Sequence, residues 1–403
     1  MKVLYIHQYF CTPQEPGGTR SYWISQELIR RGHSVTMITS TKKSHPEPCV
    51  VDIDGIEVHY VKNTYNKYMS PLRKVLSFLN FVRVALREGR KQKNVDLVFA
   101  TSTPLTVGYI ALRLKKRKHL PYVFEVRDLW PEFPIQIGAI KNRVAIKYLK
   151  GLERRIYKNS EFVIALSPGM QDGVVSAGMP IQKTAMIPNM SKPDLFYPHE
   201  KNIDIANRFG LDLTKFNVIH FGSMGLANGL IYIINAAKRL KESGDNSICF
   251  VFMGDGSTLP VLKRKVEEYK LTNVLFLGNH PMPIVSEVVN CCDSSITSFM
   301  NLPILKTNSP NKLFDSLSAG IPIIVNSAGW TKDLVENEHC GFFADPDDPD
   351  DLASKLLLYK DNDELLKTWA DNSRRLSIEV FDKQLLAAKV ADVLEKAYND
   401  MKS

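Results

Sequence analysis

The chain has 403 residues, 44% apolar and 24% charged, which is ample for a packed core and more in keeping with two domains than one. No apolar run reaches the roughly 18 residues of a membrane span, the six cysteines show no Cys-x-x-Cys spacing, and the nine histidines include no His-Glu-x-x-His pair, so a transmembrane helix, a disulfide framework and a zinc site are not expected. The net charge of +9 is uneven: residues 1–200 hold 30 Lys and Arg against 16 Asp and Glu, which makes the N-terminal half the part drawn to an anionic partner.

In chain order, Val3 to His7 reads as a buried first strand rather than a signal peptide, because His7 and Gln8 end the apolar run and no small-residue cleavage site follows. A Gly/Pro-rich loop runs to Gly18, helical periodicity follows from Ser21 to Arg31, and Val35 to Thr39 supplies a second strand, making a βαβ unit. Within the loop, Gly17 and Gly18 would let a backbone approach a pyrophosphate, although Pro-Gly-Gly is also ordinary turn chemistry. Val50 to Val61 is predicted as a hairpin turning at Asp54-Gly55, which assigns Asp52-Ile53-Asp54 to structure and not to a metal.

Two basic segments follow, 71–93 and 140–158. Each sets apolar residues at helical spacing among Lys and Arg, so each is expected either to bury its apolar stripe or to meet an anionic membrane surface. Nucleic acid is not expected, because no recognition-helix, zinc-finger or aromatic RNA-binding signature accompanies the charge. Leu97 to Ala100, Tyr122 to Val126 and Phe162 to Ala165 read as further strands. After the second of these, Glu125-Val126-Arg127-Asp128-Leu129-Trp130-Pro131-Glu132 gathers three acids, an arginine and a tryptophan. That density at a strand end points to a polar site holding Arg127 and Asp128.

The second half repeats the scheme. Asn217 to Phe221 is predicted as a strand, Gly222 to Gly229 as a loop and Leu230 to Leu240 as a helix. Strands follow at Ile248 to Met253, Val274 to Leu277, Ser294 to Ile296, Ile323 to Val325 and Gly341 to Ala344, so each half is expected to build a parallel sheet covered by helices. The Gly222 loop, with Ser223 and Asn228, lacks the Gly-Lys-Ser/Thr ending of a P-loop and is not Gly-x-Gly-x-x-Gly, yet it is placed to face phosphate. Gly254, Gly256 and Leu277 close strands where a base or ribose could be held, with turn chemistry as the alternative. Asn308 to Pro322 begins with polar residues and a proline, continues as a short amphipathic helix and ends at Gly-x-Pro. It brings Asn308, Ser309, Asn311 and Lys312 to a helix entrance suited to a phosphate-bearing ligand.

Taken together, the Gly17-Gly18 loop, Arg127 to Glu132, Ile187-Pro188-Asn189, the Gly222 loop, Gly254-Asp255-Gly256 and Ser309 to Pro322 resemble glycosyltransferase family 4 over nearly the whole chain. The resemblance implies an α/β fold of two Rossmann-like domains facing across a cleft, the GT-B architecture. Residues 1–200 would form the acceptor and membrane-facing domain and residues 201–403 the donor domain, with the last helix free to cross back to the first. The versions of the Arg127 and Ser309 motifs look most like the branch that builds O-antigens and capsules. For that branch the expected activity is a retaining, metal-independent and cofactor-free transfer of a hexose, here N-acetyl-L-fucosamine, from a UDP-sugar. The acceptor would be undecaprenyl-diphosphate-linked GlcNAc at the inner, cytoplasmic face of the cell membrane, with the enzyme bound peripherally.

In that family two glutamates eight positions apart flank the donor sugar, and an Arg and a Lys after the second-domain strand hold the diphosphate. Here the glutamate positions are Thr307 and Asp315 and the cation positions are Ser223 and Asn228. Lys312 is the expected substitute cation, Asp315 is expected to orient a ribose or sugar hydroxyl, and Arg127 and Asp128 are expected near the acceptor hydroxyl. These departures leave a second reading open, a nucleotide-sugar-binding relative without turnover, with a regulatory or scaffolding role.

Overall fold

A computed structural model describes residues 1–15, 17–66 and 69–402; Pro16, part of the loop expected to approach a pyrophosphate, lies outside the described residues. The chain forms two compact units. One holds Met1–Pro13, Gly17–Pro188 and the C-terminal stretch from Lys383, and the other holds Asn189–Asp382.

In the first unit β1 (Lys2–Ile6), β2 (Ser34–Ser40), β3 (Cys49–Ile53), β4 (Ile56–Val61), β5 (Leu97–Thr101), β6 (Tyr122–Val126), β7 (Phe162–Ala165) and β8 (Thr184–Met186) make one sheet in the order β3-β4-β2-β1-β5-β6-β7-β8. Every pairing is parallel except the β3/β4 hairpin, whose turn residues Asp54 and Gly55 both have positive φ, 50° and 83°. All five residues of β5 and of β6 are buried, as a strand covered by helices on both faces requires. The chain passes from β1 to β2 on one side and to β5 on the other, so the strand order reverses at β1, where α/β sheets place their ligands.

The helix Lys383–Asn399 belongs with this unit. Arg31 donates to Asp392 at 2.7 Å and to Glu395 at 3.0 Å, and the Lys383 ammonium lies 3.8 Å from the centre of the Trp23 ring. The division falls at Pro188/Asn189, ahead of the boundary expected after residue 200, because the following residues are bonded into the second unit. Ser191 Oγ donates to the Phe314 carbonyl at 3.0 Å, and the Lys192 N–H donates to Ser318 Oγ at 2.9 Å.

The two basic helices bury apolar side chains only in their C-terminal halves, among the described residues. In Pro71–Lys91, Phe81, Val82, Ala85 and Leu86 are buried, whereas Leu72, Val75, Leu76 and Leu79 are 50–70% exposed. In Arg143–Asn159, which Asn142 caps by accepting from the Val144 and Ala145 N–H groups, Leu152, Ile156 and Tyr157 are buried and Val144 and Tyr148 are exposed. Both helices pack against Thr106–Lys118.

In the second unit β9 (Phe216–Ser223), β10 (Ile248–Asp255), β11 (Val274–Gly278), β12 (Ser294–Thr297), β13 (Ile323–Val325) and β14 (Gly341–Phe343) form an all-parallel sheet in the order β11-β10-β9-β12-β13-β14. Successive side chains alternate between two cores. Val218, Phe250, Phe252 and Ile296 fill one; Ile219, Phe221, Val251 and Met253 fill the other. Full burial of each such side chain contributes about 1.5–3 kcal/mol. Here the order reverses at β9, between β10 and β12.

Candidate active site

At the carboxyl ends of β9 and β10 the parallel pairing continues until Gly222 lies beside Gly254 and Ser223 beside Asp255. Such close approach leaves no room for side chains. A Cβ on Gly254 would stand 1.9 Å from the Gly222 carbonyl oxygen, and one on Gly256 would stand 2.3 Å from that of Met224. The same Met224 carbonyl accepts from the Thr258 N–H at 3.1 Å and the Thr258 hydroxyl at 2.6 Å. Gly254 and Gly256, expected to hold a base or ribose, are thus first of all what lets the two loops pack. Leu277, expected beside them, has its carbonyl occupied by His280 Nε2 at 2.8 Å.

Packing of these loops leaves Gly222 and Ser223 exposed at the strand end, with Asn228 buried behind them. Lys312 reaches the same place from the helix Asn311–Ala319. Its Nζ lies 3.1 Å from Asn228 Oδ1 and 3.3 Å from His220 Nε2, and a Cβ on Gly222 would be 3.9 Å from its Cε. No carboxylate ion-pairs with Lys312 among the described residues, and burial pushes its pKa down to about 7. His220 is buried too; its pKa is held well below the usual range by burial and by the Lys312 charge. The ammonium therefore stands at the Asn228 position, where the family resemblance puts a cation, and is held there by neutral groups.

The rest of the 308–315 block is less open than its sequence suggests. Asp315, expected to orient a hydroxyl, is instead buried and ion-paired with Lys192, whose Nζ is 2.8 Å from its Oδ1; burial raises the carboxyl pKa and Lys192 opposes that shift. Ser309 is also buried: its Oγ accepts from the Asn189 N–H at 3.2 Å and its carbonyl from Asn189 Nδ2 at 2.5 Å. The Asn308 carbonyl accepts from Trp330 Nε1 at 2.7 Å. Asn311 and Lys312 occupy the first helical turn, where backbone N–H groups have no intrahelical acceptor.

In the first unit the expected residues also stand at strand ends. Asp128, after β6, accepts from the Thr103 hydroxyl at 2.8 Å rather than from Arg127, and burial raises its pKa. The Arg127 N–H donates to Ser102 Oγ at 2.9 Å, and its Nη1 lies 3.5 Å from His7 Nε2, while His7 Nδ1 meets Ser21 Oγ at 2.7 Å. Burial first, and Arg127 second, hold the His7 pKa well below the usual range. Beneath them Arg20 and the fully buried Glu125 form an ion pair at 2.8 Å. Arg20 also donates to the carbonyls of Ile187, at 3.1 Å, and Pro188, and Thr101 donates to Glu125 at 2.6 Å. Gly17, at φ 145°, passes so close to Cys11 that a Cβ would lie 2.8 Å from its Sγ; Gly18 follows it, half-buried.

Sequence reasoning missed His7, Arg20 and His220. All three are buried polar residues; His7 closes the apolar run of β1, His220 interrupts the apolar run of β9, and Arg20, at the start of the helix Arg20–Arg30, carried no such signal.

Both halves of the chain match known proteins. One family model, described as a glycosyl transferase 4-like domain, matches residues 17–190, and a second, glycosyl transferases group 1, matches residues 202–376. The chain belongs to the glycosyltransferases that these two domains define. Sucrose-phosphate synthase from Thermosynechococcus elongatus is similar over 99% of both chains, with a TM-score of 0.79 and 16% identity. HepE of Anabaena, solved in complex with UDP-glucose, is similar over 98% of this chain and 100% of its own, with a TM-score of 0.70 and 18% identity. Those likenesses establish the α/β GT-B fold with its two Rossmann-like domains. Among curated proteins, the alpha-galactosylglucosyldiacylglycerol synthase of Streptococcus pneumoniae is 22% identical over 251 residues, which is 59% of this chain and 63% of that enzyme.

Proposed function

We propose that the protein is a retaining glycosyltransferase that takes its sugar from a UDP-sugar and needs no metal or other cofactor, with Lys312 neutralising the departing diphosphate. The observation that carries this reading is the Lys312 ammonium, held at the exposed Gly222–Ser223 strand end by Asn228 and His220 with no carboxylate partner among the described residues. Breaking a glycosyl-phosphate bond builds negative charge on the diphosphate, and a preorganised cation with nearby N–H groups stabilises it. Loss of one such donor typically costs about 3 kcal/mol of barrier. Gly222, Ser223, Asn228, Asn308 and Asn311 would line the donor, and the leaving phosphate would help deprotonate the acceptor on the same face. In the first unit, Asp128 and Arg127 would act near the acceptor hydroxyl, with Gly17 and Gly18 in the adjoining loop.

The acceptor we propose is an undecaprenyl-diphosphate-linked GlcNAc, and the sugar N-acetyl-L-fucosamine, in O-antigen or capsule assembly. A lipid-borne acceptor is supported by the exposed apolar residues Leu72, Val75, Leu76, Leu79, Val144 and Tyr148, set among Arg73, Lys74, Arg143 and Lys147. Apolar side chains among cations suit an anionic membrane surface, and no described helix is long and apolar enough to cross one. The enzyme would then work peripherally, at the inner face of the cell membrane.

The test is mass spectrometry of a short lipid-linked GlcNAc-diphosphate incubated, without added metal, with the protein and a panel of UDP-, GDP- and dTDP-sugars. A gain of one sugar from a single UDP-sugar is the expected result. Nucleotide binding without any gain would favour the second reading, a non-catalytic relative, which Ser223 and Asn228 at the family's cation positions motivate.

A further inference from the structure

His220 has no chemical role in the reading above beyond its contact with Lys312, yet it is a buried imidazole against the cation proposed to bind the diphosphate. The Ile296 carbonyl, which can only accept, lies 3.2 Å from its Nδ1. That fixes the proton on Nδ1 and turns the Nε2 lone pair toward the Lys312 ammonium at 3.3 Å; the Ser223 carbonyl stands farther from Nε2, at 3.5 Å. Asn228 Oδ1, at 3.1 Å, is the other acceptor. His220 is the only titratable group placed against Lys312 among the described residues, and it is kept neutral. The ammonium is therefore held by two uncharged acceptors in a half-buried setting, an arrangement that orients a cation without neutralising it.

We propose that binding of a nucleoside-diphosphate donor at this site takes up a proton onto Lys312 Nζ, and that His220 is the positioning residue that presents the Nε2 lone pair to the ammonium so formed. The inference rests on the reading of Lys312 as the diphosphate-binding cation. Above pH 7, where the empty site holds mostly the amine, binding brings one proton from solvent onto Nζ, no covalent bond changes, and the negative diphosphate supplies the charge that holds it. The sign follows from linkage. With Lys312 titrating at about 7 in the free protein, the site is charged below that pH and neutral above it, so donor affinity falls as pH rises. If the ammonium form binds about tenfold more tightly than the amine, binding raises the Lys312 pKa by about one unit. Affinity then falls about fivefold from pH 6 to pH 8, and binding at pH 8 takes up roughly half a proton.

Isothermal titration calorimetry with UDP-glucose, which carries no phosphate titrating in this range, and with UDP at pH 8, reads the proton directly when run in two buffers of different ionisation enthalpy. The expected result is uptake at pH 8, little at pH 6 with UDP-glucose, and none at either pH in Lys312→Met. His220→Leu, which deletes the acceptor, should move the fall in affinity to lower pH. His220→Gln, which keeps an acceptor, should restore the wild-type profile. Binding without uptake at pH 8, with Lys312→Met still weakened, would overturn the coupling and leave the reading of Lys312 standing. Affinity unchanged in Lys312→Met, or no binding of either nucleotide, would overturn both. Identical profiles for wild type and His220→Leu would remove His220 from its positioning role.

Discussion

The strand ends of the two units handle charge in opposite ways. In the first, Arg20 meets Glu125, Thr101 meets the same carboxylate, Asp128 is bonded by Thr103 and His7 by Ser21, so each of these titratable groups has a partner within its own unit. In the second, Lys312 meets only a neutral amide and a neutral imidazole among the described residues. The contrast repeats within one helix, three residues apart: Asp315 is ion-paired with Lys192, and Lys312 has no carboxylate partner among the described residues. A satisfied network specifies structure, whereas a half-buried cation without a carboxylate is a group waiting for an anion.

That contrast can be broken by substitution. Glu125→Ala should have the largest effect, because it leaves the buried Arg20 guanidinium unpaired; a loss of about 3–5 kcal/mol in a denaturant titration is expected, and a loss below 1 kcal/mol would deny the pair its structural role. Asp315→Ala should likewise lower stability, by about 3 kcal/mol, through the uncompensated Lys192, while leaving the KM for the donor sugar within about twofold. A large KM rise with unchanged stability would return Asp315 to the donor. Asp128, with its carboxyl raised by burial, should impose a loss of kcat/KM on acidification that sets in above the usual carboxylate range. Asp128→Asn should remove that limb, and an unchanged acidic limb would assign it to another group. The smallest effect belongs to the exposed apolar residues: Leu76→Ser with Leu79→Ser should weaken sedimentation with anionic phospholipid vesicles several-fold while leaving soluble-acceptor turnover intact.

Much of the fold was legible because the central strands are apolar runs bounded by glycine and helical periodicity, which is the imprint of a doubly covered parallel sheet. β8 was missed since Thr184-Ala185-Met186 is too short to show a period. The basic helices were read correctly as helices, but whether a stripe is buried depends on what covers it: Leu86 is buried and Leu76 is exposed at the same helical spacing. The site divided in a similar way. Lys312 stood out as a lysine at a helix entrance after Ser-Pro-Asn, and the structure brings its ammonium to Asn228. Asp315, three residues on, looked equally available, because its partner Lys192 is distant in sequence and only folding joins them. Gly254 and Gly256 read as strand ends where a base or ribose could be held, and the group that comes close to them is the protein's own backbone.

The central claim is that Lys312 carries the charge that lets the diphosphate leave. Its most direct test is the single-turnover rate of Lys312→Ala at pH 7, measured beside the dissociation constant of the same UDP-sugar. The account predicts a rate about 100-fold lower or worse, with donor affinity weakened no more than about tenfold, the pattern of an interaction realised mainly in the transition state. A rate within threefold of wild type would contradict it and place the leaving-group cation elsewhere in the chain.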